Sequence, residues 1–125
     1  VYGRLPLMIT ENCLVQSETG CRLDRQGPCV PEDGPCRCGQ PNVLVDRTGA
    51  AFPLLPAYGH RTEIQNSKPL YLADRPEHRR LGLAYARLRF TTETAEECVS
   101  VVQNYLDAAP AAGDFTRGLY ERGVE

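Results

Sequence analysis

The chain has no apolar run near the roughly 20 residues that a membrane-crossing helix needs. It also lacks a charged-then-apolar leader with a small-residue cleavage site, so the expectation is a soluble, cytoplasmic protein with no membrane partner. Charge of one sign is missing as well. Fourteen basic against sixteen acidic side chains leave a formal charge of -2, too little to set up a field that gathers nucleic acid or an anionic surface. Lysine is nearly absent, Lys68 being the exception among arginines, which says more about base composition of the gene than about phosphate binding. Aromatics are 7% of 125 residues, which allows one modest core. No H-E-x-x-H, P-loop, G-x-G-x-x-G or G-x-S-x-G string occurs, so the signatures of zinc peptidases, nucleotide binders and serine hydrolases are missing. Because the first residue is Val1, inside a strand-like run, the chain is expected to be a piece of something larger.

What is present starts with residues 1 to 10, where Val1, Leu5, Leu7 and Ile9 share one face of a strand. Pro6 assigns that strand to an edge. From Glu11 to Asn42 the pattern collapses into a loop punctuated by glycine and proline. Val43 to Pro56 reads as a hairpin around Asp46-Arg47-Thr48-Gly49, with Gly49 supplying a positive φ and Pro53 again implying an edge. Arg61 to Gln65 is a short strand. Asn66-Ser67 before Lys68-Pro69 predicts a helix start, and Asp74-Arg75-Pro76 a second one. Ala84 to Phe90 alternates as a strand. Thr94 and Glu97 fit a capping box, and Ala95, Cys98, Val99, Val102 and Leu106 form the stripe expected to be buried. Residues 84–107 are thus a strand-helix unit, the run Asp107 to Asp114 ends the helix, and 108–125 form a polar tail anchored by Phe115, Leu119 and Tyr120.

The cysteines carry the strongest chemical signal. Five of six (Cys13, Cys21, Cys29, Cys36 and Cys38) fall between positions 13 and 38, whereas Cys98 stands on the helix stripe as a small apolar residue. None of the five shows the C-x-x-C spacing of structural zinc knuckles. A segment this poor in apolar side chains cannot build its own core, and a structureless stretch beyond about 15 residues needs a functional reason or a cross-link. Widely spaced thiols on a glycine-rich loop suit an iron–sulfur cluster, whose ligands approach from several directions. Zinc, disulfides and free thiols remain open. His60, after Tyr58-Gly59, is a possible further ligand or a plain surface imidazole. Ser67 with His60, His78 or Asp74 makes a hydrolytic triad only on paper, and Asp46, Glu63 and Asp74 read as scattered solvated or turn residues.

Several strings in order, YGRLPLMITENCLV, TGC, LVDRTGAAFPLLP, RTEIQNSKPLYLAD, ARLRFTTET and FTRGLYERGVE, closely resemble the C-terminal region of large bacterial collagenase-like peptidases, peptidase family U-thirty-two. The likeness spans nearly the whole chain and breaks chiefly at residues 22–40. It implies an α/β fold, or α+β for the isolated piece: a single domain holding the closing strand-helix elements of a TIM-like barrel, a β-hairpin and a long cysteine-rich loop at 11–42. Members of the family lack an assigned catalytic type, and better understood relatives resemble iron–sulfur enzymes that hydroxylate RNA bases or quinone precursors. The resemblance therefore implies an iron–sulfur cofactor of the four-iron type held by Cys13, Cys21, Cys36 and Cys38, with zinc as the alternative. Cys13 and Cys21 match a cysteine and a Gly-Cys in relatives. A cysteine that relatives carry after Tyr/Phe-Gly is replaced here by His60, which leaves the fourth ligand open between His60 and the extra Cys29 and Cys36 or Cys38 of the loop. The implied partners are the rest of the parent chain and an RNA substrate. A face-value peptidase and a non-catalytic zinc- or disulfide-stapled module are the rival readings.

Overall fold

The computed structural model describes residues 1–19, 37–75 and 77–120. Its elements are β1 (Tyr2–Thr10), α1 (Leu14–Thr19), a 3-10 turn at Arg37–Gly39, β2 (Asn42–Val45), β3 (Ala51–Ala57), β4 (Arg61–Tyr71), α2 (Glu77–Arg80) and α3 (Ala95–Asp107). They make a small mixed α/β protein around a four-stranded sheet of order β1-β4-β3-β2, in which β2, β3 and β4 pair antiparallel. No helix among the described residues is long and apolar enough to cross a membrane. The described residues group into two compact units, Pro6–Ser67 and a second one formed by Val1–Leu5 with the residues from Lys68 onward.

In the unit Pro6–Ser67, the hairpin closes as its turn chemistry dictates. The Asp46 carboxylate accepts from the Thr48 N–H at 2.7 Å, the Thr48 hydroxyl at 2.6 Å and the Ala50 N–H at 3.0 Å. Gly49 takes the left-handed φ of 85° that closes the loop. Those hydrogen bonds, from Thr48 foremost, hold the Asp46 carboxyl below the usual range. Pro53 is not at a sheet edge, because β3 lies between β2 and β4; it pairs with Val43, while the β3–β4 register begins one residue later at Leu54. Its missing N–H therefore costs no bond to β4.

The stretch expected to be a structureless loop from Glu11 contains α1. Leu14 and Val15 turn toward Leu54 and Ile64, and the Leu14 N–H, an orphan of the first helical turn, donates to the Thr62 hydroxyl at 3.1 Å. Residues 20–36 lie outside the described ones. Pro6 does mark an edge strand, since β1 ends the sheet. Leu5, Leu7 and Ile9, which share the predicted apolar face, are exposed, as is Met8 on the opposite face.

The helix start predicted at Asn66-Ser67 is absent: β4 continues unbroken to Tyr71. Capping preference is a local signal, and the strand's pairing overrides it. Within the second unit, Pro69 gives up no ladder bond, because it presents its carbonyl to the Thr116 N–H at 2.9 Å. The start predicted near Asp74 survives as the four-residue α2.

The core of that second unit is aromatic. Tyr2, Tyr71 and Ala73 are buried, with Leu88, Phe90, Val101, Tyr105, Ala111 and Phe115 packed on them. The Tyr2 ring meets Tyr71, Phe90 and Tyr105 at centroid separations of 6.5, 5.5 and 6.2 Å, mostly edge to face. The strand predicted over 84–90 reduces to one parallel bridge, Leu88 with Tyr2, and Ala84 and Ala86 are exposed. The capping box of α3 forms as predicted, Thr94 accepting from the Glu97 N–H while Glu97 accepts from the Thr94 N–H at 2.7 Å. The helix ends at Asp107, where the strand-helix unit was expected to end, with Ala108 in the left-handed conformation, φ 52°.

The buried stripe of α3 is also corrected. Cys98, Val101, Asn104 and Tyr105 are half-buried, whereas Val99 and Leu106, two members of the predicted stripe, are 71% and 69% exposed. Tyr105 decides the rotation. Its ring joins the aromatic cluster, and its hydroxyl accepts from the Leu72 N–H at 2.8 Å while donating to the Val1 carbonyl. A ring with two partly buried hydrogen bonds outweighs two aliphatic side chains.

Tyr105→Phe should therefore cost about 1–3 kcal/mol in urea or thermal unfolding, because the buried Leu72 N–H loses its acceptor. Burial pushes the Tyr105 phenol up from 10.0 to about 12. A raised value means that this part of the stability is complete below pH 10 and fades as pH rises through about 12. The Phe variant should lose stability less steeply in that alkaline window; an unchanged slope would contradict the assignment.

Candidate functional site

Only part of the predicted cysteine set falls on described residues. Cys21, Cys29 and Cys36 lie outside them, while Cys13, Cys38 and Cys98 lie within. Two of the four expected ligands are brought together: Cys13 Sγ and Cys38 Sγ stand 3.1 Å apart and share an S–H···S contact. The local fold explains how. Cys13 sits just ahead of α1, pinned by Leu14 and Val15 against Leu54 and Ile64 and only 5% exposed. Cys38 is the middle residue of the 3-10 turn, which Asn42 ties down by donating to the Arg37 carbonyl at 2.9 Å and the Gln40 carbonyl at 2.7 Å.

The donor set fits a soft metal. Two thiolates on one zinc, each about 2.3 Å from it at a tetrahedral angle, stand about 3.8 Å apart, so a small outward adjustment admits one ion between them. Two thiolates on different irons of a four-iron cluster sit further apart, and the pair would have to open more. Among the described residues no group of three or more histidine, cysteine or acidic side chains converges to hold a metal. His60 accordingly does not complete a three-ligand set with Cys13 and Cys38 there. It occupies the turn between β3 and β4 in the left-handed region, φ 59°. Cys98 is half-buried on α3, in keeping with a packing role.

The hydrolytic triad finds no support. Ser67 is a strand residue whose hydroxyl donates to the Asn66 carbonyl oxygen of the side chain at 3.5 Å. Asp74 is a turn residue, one of the two readings given, but not a solvated one: it makes a paired, two-pronged bond with Arg117 at 2.6 and 2.7 Å. Glu63 accepts from the Gln65 amide. Gln65 itself, which no sequence pattern singled out, is fully buried, and its carbonyl oxygen has no partner among the described residues. Alternation along β4 gave the only hint of it.

The second unit holds a groove of about 410 Å³ between β1 and α3, with Tyr2, Arg4, Thr92, Glu93, Glu97 and Asn104 among its walls. Its acids are occupied. Glu93 accepts from the N–H groups of Thr91 and Thr92 at 2.7 and 3.0 Å and from the Tyr2 hydroxyl at 3.1 Å. Burial opposes its ionisation, yet these donors prevail and hold the carboxyl below the usual range. Burial and the facing Glu93 carboxylate together push the Tyr2 phenol far above the usual tyrosine value. Glu97 closes the capping box. The groove is a junction of structural hydrogen bonds.

No family model matches the chain, and no curated protein or solved structure matches it either.

Proposed function

We propose that the chain is the C-terminal part of a protein related to the collagenase-like peptidases of family U-thirty-two, in which the cysteine segment holds an iron–sulfur cluster serving hydroxylation of an RNA base or a small molecule. The convergence of Cys13 and Cys38 at 3.1 Å, across 25 positions of sequence, carries the reading. Two thiols do not meet in an apolar cluster by local preference, and Cys21 and Cys36 are the candidates for the remaining ligands, with Cys29 or His60 in reserve. The cluster would supply one-electron chemistry; the chain's own part is to hold its thiolates and exclude water with Leu14, Val15, Leu54 and Phe52. In this reading the second unit forms closing strand-helix elements of a TIM-like barrel. Exposed Leu7, Met8 and Ile9 on β1 and Val99 and Leu106 on α3 support a parent chain that covers them.

A zinc-stapled module is the second reading, favoured by the sulfur separation, which lies closer to that of two ligands on one tetrahedral ion. The peptidase reading gains nothing from the placement of Ser67.

Anaerobic purification separates these readings. A brown protein with iron, sulfide and absorbance at about 400 nm is expected, and Cys13→Ser should lower iron content at least about twofold. A colourless protein with one zinc per chain would select the stapled module instead. Iron that stays unchanged in Cys13→Ser would remove that residue from the site.

A further inference from the structure

The geometry of the same two thiols points to a modification site: we infer that Cys13 and Cys38 form a redox latch that closes as a disulfide when no metal lies between them. At 3.1 Å the two sulfurs leave no room for another atom, and they need approach each other by only about 1 Å to reach the length of an S–S bond. Both backbones are anchored, Cys13 by the packing of α1 and Cys38 by the Asn42 hydrogen bonds, so their encounter is built into the fold rather than left to chance.

The unequal burial of the two sets the order of events. Cys38 is half-buried and reachable from solvent, whereas Cys13 is closed in by Val15, Leu54 and Ile64. The oxidant we assign is a small-molecule disulfide of the glutathione class. The Cys38 thiolate attacks one of its sulfurs, forming a mixed disulfide and releasing one small thiol. Cys13 Sγ then attacks the Cys38 sulfur, the protein disulfide forms, and a second small thiol leaves. Two protein thiols lose two electrons and two protons, and the oxidant gains both. Cys38 is thus the entry residue and Cys13 the resolving one. Reaction consumes two thiolates that a metal needs, so a closed latch and a loaded site exclude each other; that last step rests on the proposed metal-binding function, and the latch itself does not.

The test uses the metal-free full chain treated with oxidised glutathione, followed by non-reducing peptide mapping. The expected product is a Cys13–Cys38 cross-link as the main species, formed faster than any link among Cys21, Cys29, Cys36 and Cys98. In Cys38→Ser, Cys13 should stay unmodified; in Cys13→Ser, the glutathione adduct should accumulate on Cys38. Cross-links spread evenly over all the cysteines, or glutathione found first on Cys13, would overturn the inference. The same mapping after incubation with zinc distinguishes the two proposals. Protection of the pair supports both; an undiminished Cys13–Cys38 link leaves the latch standing and counts against the metal site.

Discussion

Replacing the buried Gly3 with alanine is expected to destabilise the protein by roughly 3 kcal/mol or more. Gly3 has a φ of 126°, which side chains rarely adopt, and a Cβ built there runs into the backbone carbonyl of Arg89. That carbonyl cannot step aside cheaply. Arg89 donates its own N–H to the Tyr2 carbonyl at 3.0 Å, and Leu88 bridges to Tyr2, so the strand and the segment beside it are tied on both sides of the contact. Tyr2 in turn sits at the centre of the aromatic cluster, and any shift of β1 disturbs its rings. Gly49→Ala provides the control. Its φ of 85° is also left-handed, but nothing lies within 4 Å of the added carbon. The cost there should be only about 1 kcal/mol of backbone strain. Urea titrations of the two variants side by side decide the point: equal small losses would mean that the close approach at Gly3 does not limit the fold.

Nothing in the sequence around Gly3 announces this constraint, and the reason is general to what was legible here. Features set by a few adjacent residues were readable: the hairpin at Asp46–Gly49, the capping box at Thr94 and Glu97, and the edge placement of β1 from Pro6. Features set by partners far away in sequence were not. The local helix signal of Ser67 lost to pairing along β4, and the aliphatic stripe of α3 lost to Tyr105, whose partners Leu72 and Val1 lie on other elements. Alternation over Ala84–Phe90 pointed Ala84, Ala86, Leu88 and Phe90 inward, but only Leu88 and Phe90 pack on the core and only one bridge forms. At the candidate site, cysteine density marked the segment and the resemblance implied Cys13, Cys21, Cys36 and Cys38, yet neither singled out Cys13 and Cys38 as the two that meet. That meeting depends on α1, which glycine and proline density had hidden, and on the Thr62 hydroxyl that starts it.

Arg117 and Asp74 bring the second large prediction. In sequence they are 43 residues apart, one in a polar tail and the other in a turn; in the structure their side chains are only 16% and 25% exposed and meet at 2.6 Å. Arg117 also donates to the Tyr71 carbonyl at 2.6 Å and lies 4.6 Å from the centre of the Phe115 ring. Arg117→Ala should cost about 2–4 kcal/mol, because it strands a half-buried carboxylate and removes the stack at once. Asp74→Asn keeps the shape and should cost about 1–2 kcal/mol, since the bond to Tyr71 survives. If the pair were merely decorative, both variants would stay within about 0.5 kcal/mol of the parent, as exposed ion pairs do. The pH dependence gives an independent readout. Hydrogen bonds from Arg117 hold the Asp74 carboxyl below its ordinary 3.8. A lowered value means the stabilisation is complete above pH 3.8 and disappears as pH falls through the lower folded value. The gap in urea midpoint between parent and Asp74→Asn should therefore be constant near neutrality and narrow only on the acid side of pH 3.8. Asp46 and Glu93 titrate in the same region but are common to both proteins, so the difference isolates Asp74; a gap that persists unchanged into strong acid would show that charge at position 74 is not what holds the tail against Tyr71.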